Sequence, residues 1–327
     1  MSQFKQISDK NAKVLYLETS ALGQSLLTTP KLNKGSAFSE LERQQFHLRG
    51  KLPYNIEDLS QQVLRCYQQF LKKDNNLEKH LYLRSLHDTN ETLFYKLVSQ
   101  HLTEMLPVLY TPTVGKAVEQ FSQEFQRPRG LYIAYPDRDH IEEIIENRFN
   151  SEVDIIVMTD GAGVLGIGDQ GIGGMDICIV KSMVYVLCGG VNPSRLLPIQ
   201  IDVGTDNEQL LNDPMYLGWR HPRISGKEYD DMVERVVLAI QRKLPQAYLH
   251  WEDFGRENAR RNLERYHQQM CTFNDDMQGT GAVTLVALLS AITRTKVPLT
   301  EQRIVIVGAR TAGTGIADQL CAAMRRE

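Results

Sequence analysis

The chain has 327 residues, 42% hydrophobic and 24% charged, with a formal net charge of −3. That length suggests two domains, and the near-balanced charge gives no reason to expect nucleic acid or an anionic membrane as partner. No apolar run approaches the roughly 18 residues of a membrane span, MSQFKQISDKNAK lacks an apolar signal core, and the scattered Cys66, Cys178, Cys188, Cys271 and Cys321 read as reduced thiols of a cytoplasmic protein.

The first third reads as helices. From Leu59, apolar residues recur at Val63, Tyr67, Phe70 and Leu71, and a second stripe runs Leu93, Leu97, Leu102 and Met105. Both follow the helical period and should pack on one another. After Arg129 the pattern changes. LYIAY (131–135), DIIVMTD (154–160), LPIQIDVG (197–204), AYLHWEDF (247–254), a short segment entering FNDD, and RIVIVGA (303–309) read as strands. Between them DHIEEIIENR (139–148), MDICIVKSMVYVL (175–187), residues 229–242 with Met232, Val236 and Ile240 on one face, ENARRNLERYHQQM, and the segment after Gly279 read as helices. Alternation of this kind implies a mostly parallel sheet, with ligands bound beyond the carboxyl ends of its strands.

Glu252 and Asp253 close one expected strand; Asp275 and Asp276 close another. Four acids converging on one cleft would repel one another unless a cation sat between them. Oxygen-only ligation, without a His or Cys cluster, suits Mg2+ or Mn2+. Asp275 and Asp276 also read as helix-capping acids, and Glu252 with Asp253 as a solvated pair; the two pairs together weigh toward metal. Lys181, amid apolar residues, is either a lysine snorkelling to an edge or a desolvated amine suited to accept a proton. Tyr110 in LPVLYTPTVG is either a buried tyrosine with its hydroxyl satisfied or a proton donor.

GAGVLG (161–166) and GIGDQG (166–171) both match GxGxxG, yet neither sits at a strand–helix join, and both read as tight turns. The better dinucleotide candidate is VIVGARTAGTGIADQL (305–320), with Gly308, Ala309, Arg310, Ala312 and Gly313 as the cofactor contacts. Arg310 stands where the middle glycine usually lets pyrophosphate approach the backbone.

YTPTVG (110–115), GDQGIGGM (168–175), DVGTDNEQLLNDPMYLGWR (202–220), WEDFG (251–255) and FNDDMQGTGAV (273–283) together resemble malic enzyme, from LNKGSAF (32–38) to the end of the chain. The resemblance implies oxidative decarboxylation of (S)-malate to pyruvate and CO2 with NAD+ or NADP+ and Mg2+ or Mn2+. It implies Glu252, Asp253 and Asp276 as metal ligands, and Asp275 beside Lys181 as general base. It implies Tyr110 as the acid of the later tautomerisation, and a homo-oligomer, dimer or tetramer. The expected fold is α/β: a helical region over 1–128, a parallel-sheet substrate- and metal-binding domain over 129–274, and the start of a Rossmann-type NAD(P) domain over 275–327.

Three departures stand out. Many family members carry an arginine that grips malate where this chain has Gly163. Malolactic enzymes, which make lactate from malate, resemble the chain there and at HWEDFG, while YTPTVG and GDQG favour malic enzyme. The second departure is Arg310. The third is that the family continues beyond the fingerprint helix, so a truncated form with little activity is expected. A non-catalytic metal- and dicarboxylate-binding subunit and a malolactic enzyme are the alternatives.

Overall fold

The computed structural model describes residues 4–8, 14–308 and 310–326. The chain forms two compact units. The first comprises Met1–Ala117, Glu124–Pro128 and Val184–Gly190; the second comprises Val118–Gln123, Arg129–Met183 and Val191–Glu327.

In the first unit, strands β1 (Phe4–Ser8) and β2 (Val14–Thr19) pair antiparallel. The sequence reading assigned helices here and missed this ribbon, whose β2 residues are largely exposed and carry little apolar alternation. Helix α1 (Leu59–Leu71) follows a capping box in which Asp58 and Gln61 exchange side-chain and backbone bonds. It buries Val63, Cys66 and Phe70, while Leu71 stays half exposed. The second apolar stripe divides between α2 (Glu91–Gln100) and α3 (Leu102–Leu109). Helices α1 and α2 pack together as their spacing requires.

The second unit is built on a five-stranded parallel sheet. Its strands are β3 (Leu131–Ala134), β4 (Ile155–Thr159), β5 (Leu196–Asp202), β6 (Tyr248–Trp251) and β7 (Thr272–Asn274), in spatial order β3-β5-β4-β6-β7. Helix α4 (Gly174–Gly189) carries Lys181. Helix α5 (Gly226–Lys243) buries the expected stripe of Met232, Val236 and Ile240, along with Tyr229, Val233 and Val237. Each such side chain contributes about 1.5–3 kcal/mol by leaving water, and the sheet's Ile133, Ile156 and Ile199 share that core. Helix α6 (Arg256–Tyr266) follows β6, α7 (Thr280–Thr295) follows β7, and α8 (Thr311–Met324) comes last.

Three expectations need correction or refinement. Residues 303–308 form no strand: no described strand lies beside them, and Val305 and Val307 are exposed. A ladder needs a neighbouring backbone, which an apolar run cannot supply alone; Ala309, in the same run, lies outside the described residues. Second, the segment Gly171–Gly189 is long and apolar enough on average to cross a membrane, although Asp176 and Lys181 interrupt it; two-thirds of it is buried inside the fold. Third, the helix-capping alternative for the aspartate pair falls to Asn274, whose side chain accepts from the Met277 amide. All five cysteines are free thiols.

Candidate active site at the strand ends

Strands β6 and β7 run parallel, with Trp251 opposite Asn274. The residues that follow are therefore level: Glu252 with Asp275, and Asp253 with Asp276. Strand register alone brings the two acid pairs side by side. Strands β5 and β6 flank β4 on opposite sides, so the acids sit at the kind of strand-end crevice where open α/β sheets bind ligands.

Each level carries its own connection. Lys181 Nζ lies 2.8 Å from Glu252 Oε1 and 2.7 Å from Asp275 Oδ2. The lysine side chain is only 11% exposed, so it does not snorkel to solvent. One level deeper into the loops, the Asp253 amide donates to Asp276 Oδ2 at 2.9 Å. The other oxygen of Glu252 is taken by His250, whose Nε2 makes a short contact with Oε2. His250 lies on β6 and Glu252 just past its end, two residues apart along the extended chain.

A loop from β4 holds Asp253. The Gly163 amide donates to the Asp253 carbonyl at 2.9 Å, and the Leu165 amide to Oδ1 at 3.2 Å. Asp253 itself has φ of +54°, a left-handed conformation in which a non-glycine residue is strained. A Cβ on Gly163 would lie 2.8 Å from the Phe254 carbonyl oxygen, so this close approach admits only glycine. Arg223 pins the loop at both ends. Its Nε and Nη2 grip Asp169 at 3.0 and 2.7 Å, and Nη1 donates to the Asp160 carbonyl at 3.0 Å. Tyr229 donates to Asp160 Oδ2 at 2.7 Å.

The electrostatics follow from burial and neighbours. Burial pushes Glu252 up, but Lys181 and then His250 outweigh it and hold the carboxyl at about 2. Asp253 is driven well above the carboxylate range by burial and then by Glu252 and Asp276. Asp276 is pushed up to about 7 by burial and then by Glu252. Asp169 is lowered: burial raises it, and the Arg223 hydrogen bond and charge prevail.

This donor set fits a hard divalent cation. The carboxylates outnumber the positive charge Lys181 provides, and Asp253 Oδ2 is buried without a hydrogen-bond partner. Among the described residues, the donor atoms that come within 4.8 Å of one another are those of His250, Glu252 and Asp275. The expected set of Glu252, Asp253 and Asp276 is not such a group: the Asp253 amide joins Asp253 to Asp276, while Glu252 contacts Lys181 and His250. The sequence reading missed His250, although its two-residue spacing from Glu252 on a strand was visible. It also missed the role of Arg223, which lies 54 positions from Asp169 and gives no local signal.

Tyr110 belongs to the first unit, at the C-terminal end of α3, where its amide donates to the Leu106 carbonyl at 2.8 Å. Of the expected nucleotide contacts, Gly308 has φ of +111°, and a Cβ on Gly313 would overlap the Gly308 carbonyl. Both glycines are needed for this tight turn. Arg310 is exposed at the N-cap of α8, and Ala312 is half-buried in the first turn. A helix N-terminus of this kind suits an anionic ligand, and Arg310 stands exposed beside it.

Comparison with known proteins converges on one family. The family described as "Malic enzyme, N-terminal domain" matches residues 87–267, and "Malic enzyme, NAD binding domain" matches 277–327. The NAD-dependent malic enzyme of Aeromonas hydrophila is 53% identical over 305 residues, covering 93% of this chain and 54% of that protein. That of Shewanella oneidensis is 51% identical over 319 residues, covering 98% and 56%. The chain thus spans about half the length of these curated relatives. The solved Entamoeba histolytica malic enzyme aligns with 85% of this chain and 48% of that one, at 22% identity and a TM-score of 0.41.

Proposed function

The chain belongs to the malic enzyme family, and from that premise we propose that it carries the malate- and metal-binding centre of an NAD+-dependent oxidative decarboxylation of (S)-malate to pyruvate and CO2. The observation that carries this reading is the Lys181 amine bridging Glu252 and Asp275, one register step from the linked Asp253 and Asp276.

Glu252, Asp253 and Asp276 would hold Mg2+ or Mn2+, which supplies a Lewis acid for the malate C2 oxygen, and the 308–313 turn would hold NAD+ as hydride acceptor. As a neutral amine, with the cation in its place as counter-charge to the acids, Lys181 Nζ would take the C2 hydroxyl proton as hydride leaves C2, and return it to the C2 oxygen as the C3–C4 bond breaks. Asp275 orients the amine for both transfers. Tyr110, assigned on the resemblance, protonates C3 of enolpyruvate as Lys181 takes the proton back from the C2 oxygen. Positioned acid–base groups of this kind contribute about 10²–10⁴-fold to rate.

The test is Mn2+ binding by electron paramagnetic resonance, with and without (S)-malate, followed by an assay for pyruvate and NADH. Mn2+ binding that tightens with malate is expected, and whatever NADH forms, at the low turnover expected of a truncated form, should be matched by an equal amount of pyruvate. No Mn2+ binding refutes the reading; lactate without net NADH overturns it in favour of malolactic chemistry, which the Gly163 departure would then explain.

A further inference from the structure

We propose that His250 is a positioning residue for the cation site: its Nε2 fixes Glu252 Oε2, so that Oε1 faces Lys181, and the imidazole itself stays off the ion. The inference rests on the metal reading above. His250 is 1% exposed, and its backbone is held between Val157 on β4 and Phe273 on β7. The Phe273 ring meets the imidazole at 5.6 Å, nearly perpendicular. The buried ring points Nε2 at the Glu252 carboxylate.

Glu252 Oε1 is at 2.8 Å from Lys181 Nζ, and Oε2 is engaged by His250. A glutamate with three rotatable side-chain bonds needs both oxygens held to present one of them in a fixed direction. The competing role is direct ligation, since His250, Glu252 and Asp275 offer donor atoms within 4.8 Å of one another. Direct ligation through Nε2 would cost the His250–Glu252 bond and release Glu252, the more suitable donor for a hard cation. Carboxylates that bind metals are themselves hydrogen-bonded, and losing such partners costs about 10–100-fold in metal affinity.

The experiment measures Mn2+ binding to the full chain by electron paramagnetic resonance, with electron spin-echo modulation to detect nitrogen bound directly to the ion. Wild type should bind Mn2+ without modulation from a coordinated imidazole nitrogen. His250→Leu should raise the Mn2+ dissociation constant about 10–100-fold, and His250→Gln, whose amide restores one donor to Oε2, should recover most of that loss. Directly coordinated nitrogen in the wild type overturns the proposal without any variant having to fold. So does a folded His250→Leu protein that binds Mn2+ as wild type does. Absence of Mn2+ binding by the wild type refutes the metal reading, and this proposal with it.

Discussion

Replacing Lys181 by methionine removes the charge from the bridge while keeping most of the side chain's volume. Two carboxylates lose a partner. Glu252 is only 2% exposed, whereas Asp275 is 37% exposed and regains water. Removing one member of a buried ion pair costs about 3–5 kcal/mol. The lower end applies because His250 still holds one Glu252 oxygen and the Asp275 bridge is partly screened. An unfolding entropy of about 2.1 cal/mol/K per residue gives about 0.7 kcal/mol/K for a chain of this length, so a loss of about 3 kcal/mol lowers Tm by about 4 °C. In wild type a cation must compete with Lys181 for Glu252; in Lys181→Met it does not. Saturating Mn2+ at 100-fold its dissociation constant adds about 2.7 kcal/mol, so it should restore the variant nearly to the metal-free wild type. Differential scanning calorimetry in EDTA and in Mn2+ measures both shifts. Turnover should not return if Lys181 is the base, as proposed. An unchanged Tm in EDTA, or a variant that loses Mn2+ binding, refutes the picture of Lys181 as the acids' resident counter-charge.

Asp169→Asn should test the Arg223 clamp through pH. The Asp169 carboxyl is lowered in the fold by Arg223, against burial. It therefore contributes stability above its unfolded pKa of about 3.9, a contribution lost as pH falls through the lower folded value. Removing a buried partner costs about 3–5 kcal/mol, so the Tm deficit of Asp169→Asn should be full at pH 7 and shrink below pH 4; a constant deficit would contradict the assignment. Gly163→Ala places a Cβ 2.8 Å from the Phe254 carbonyl oxygen. The overpacking should cost about 1–3 kcal/mol and weaken Mn2+ binding by shifting Asp253; unaltered Mn2+ affinity would show that the loop does not position this ligand. Tyr110→Phe should lower turnover of enolpyruvate to pyruvate about 10²-fold or more without changing Mn2+ affinity, and stopped-flow assay of that half-reaction checks it.

Much of the second unit was legible because its signals are local. The α5 stripe repeats at helical spacing, and β4 and β5 are short apolar runs between turns. The acid pairs were legible for the same reason, as they close strands. Ladder partners were not: residues 303–308 have the composition of a buried strand, but strand status depends on a second backbone. The β1–β2 ribbon escaped because exposed strands carry little alternation. Arg223 was invisible since its partners, Asp160 and Asp169, arrive from another loop. Gly163 looked like a lost function. In the fold it is a required contact, its amide on Asp253 and its missing Cβ leaving room for Phe254.

The adjacency of Asp275 and Asp276 has a geometric reason. The residues after β7 wind at once into a π-helical turn, Asp275–Gly279, capped by Asn274. On an extended chain neighbouring side chains oppose each other; on a helical turn they are splayed around an axis. Placing the pair at this transition sends Asp275 to Lys181 and Asp276 to the Asp253 amide. One carboxylate thus orients an amine while its neighbour stays beside the acids, a division that a continuing strand would not permit. Wide helical turns of this type recur at functional sites. Here the turn converts the register of two parallel strands into two distinct levels of chemistry.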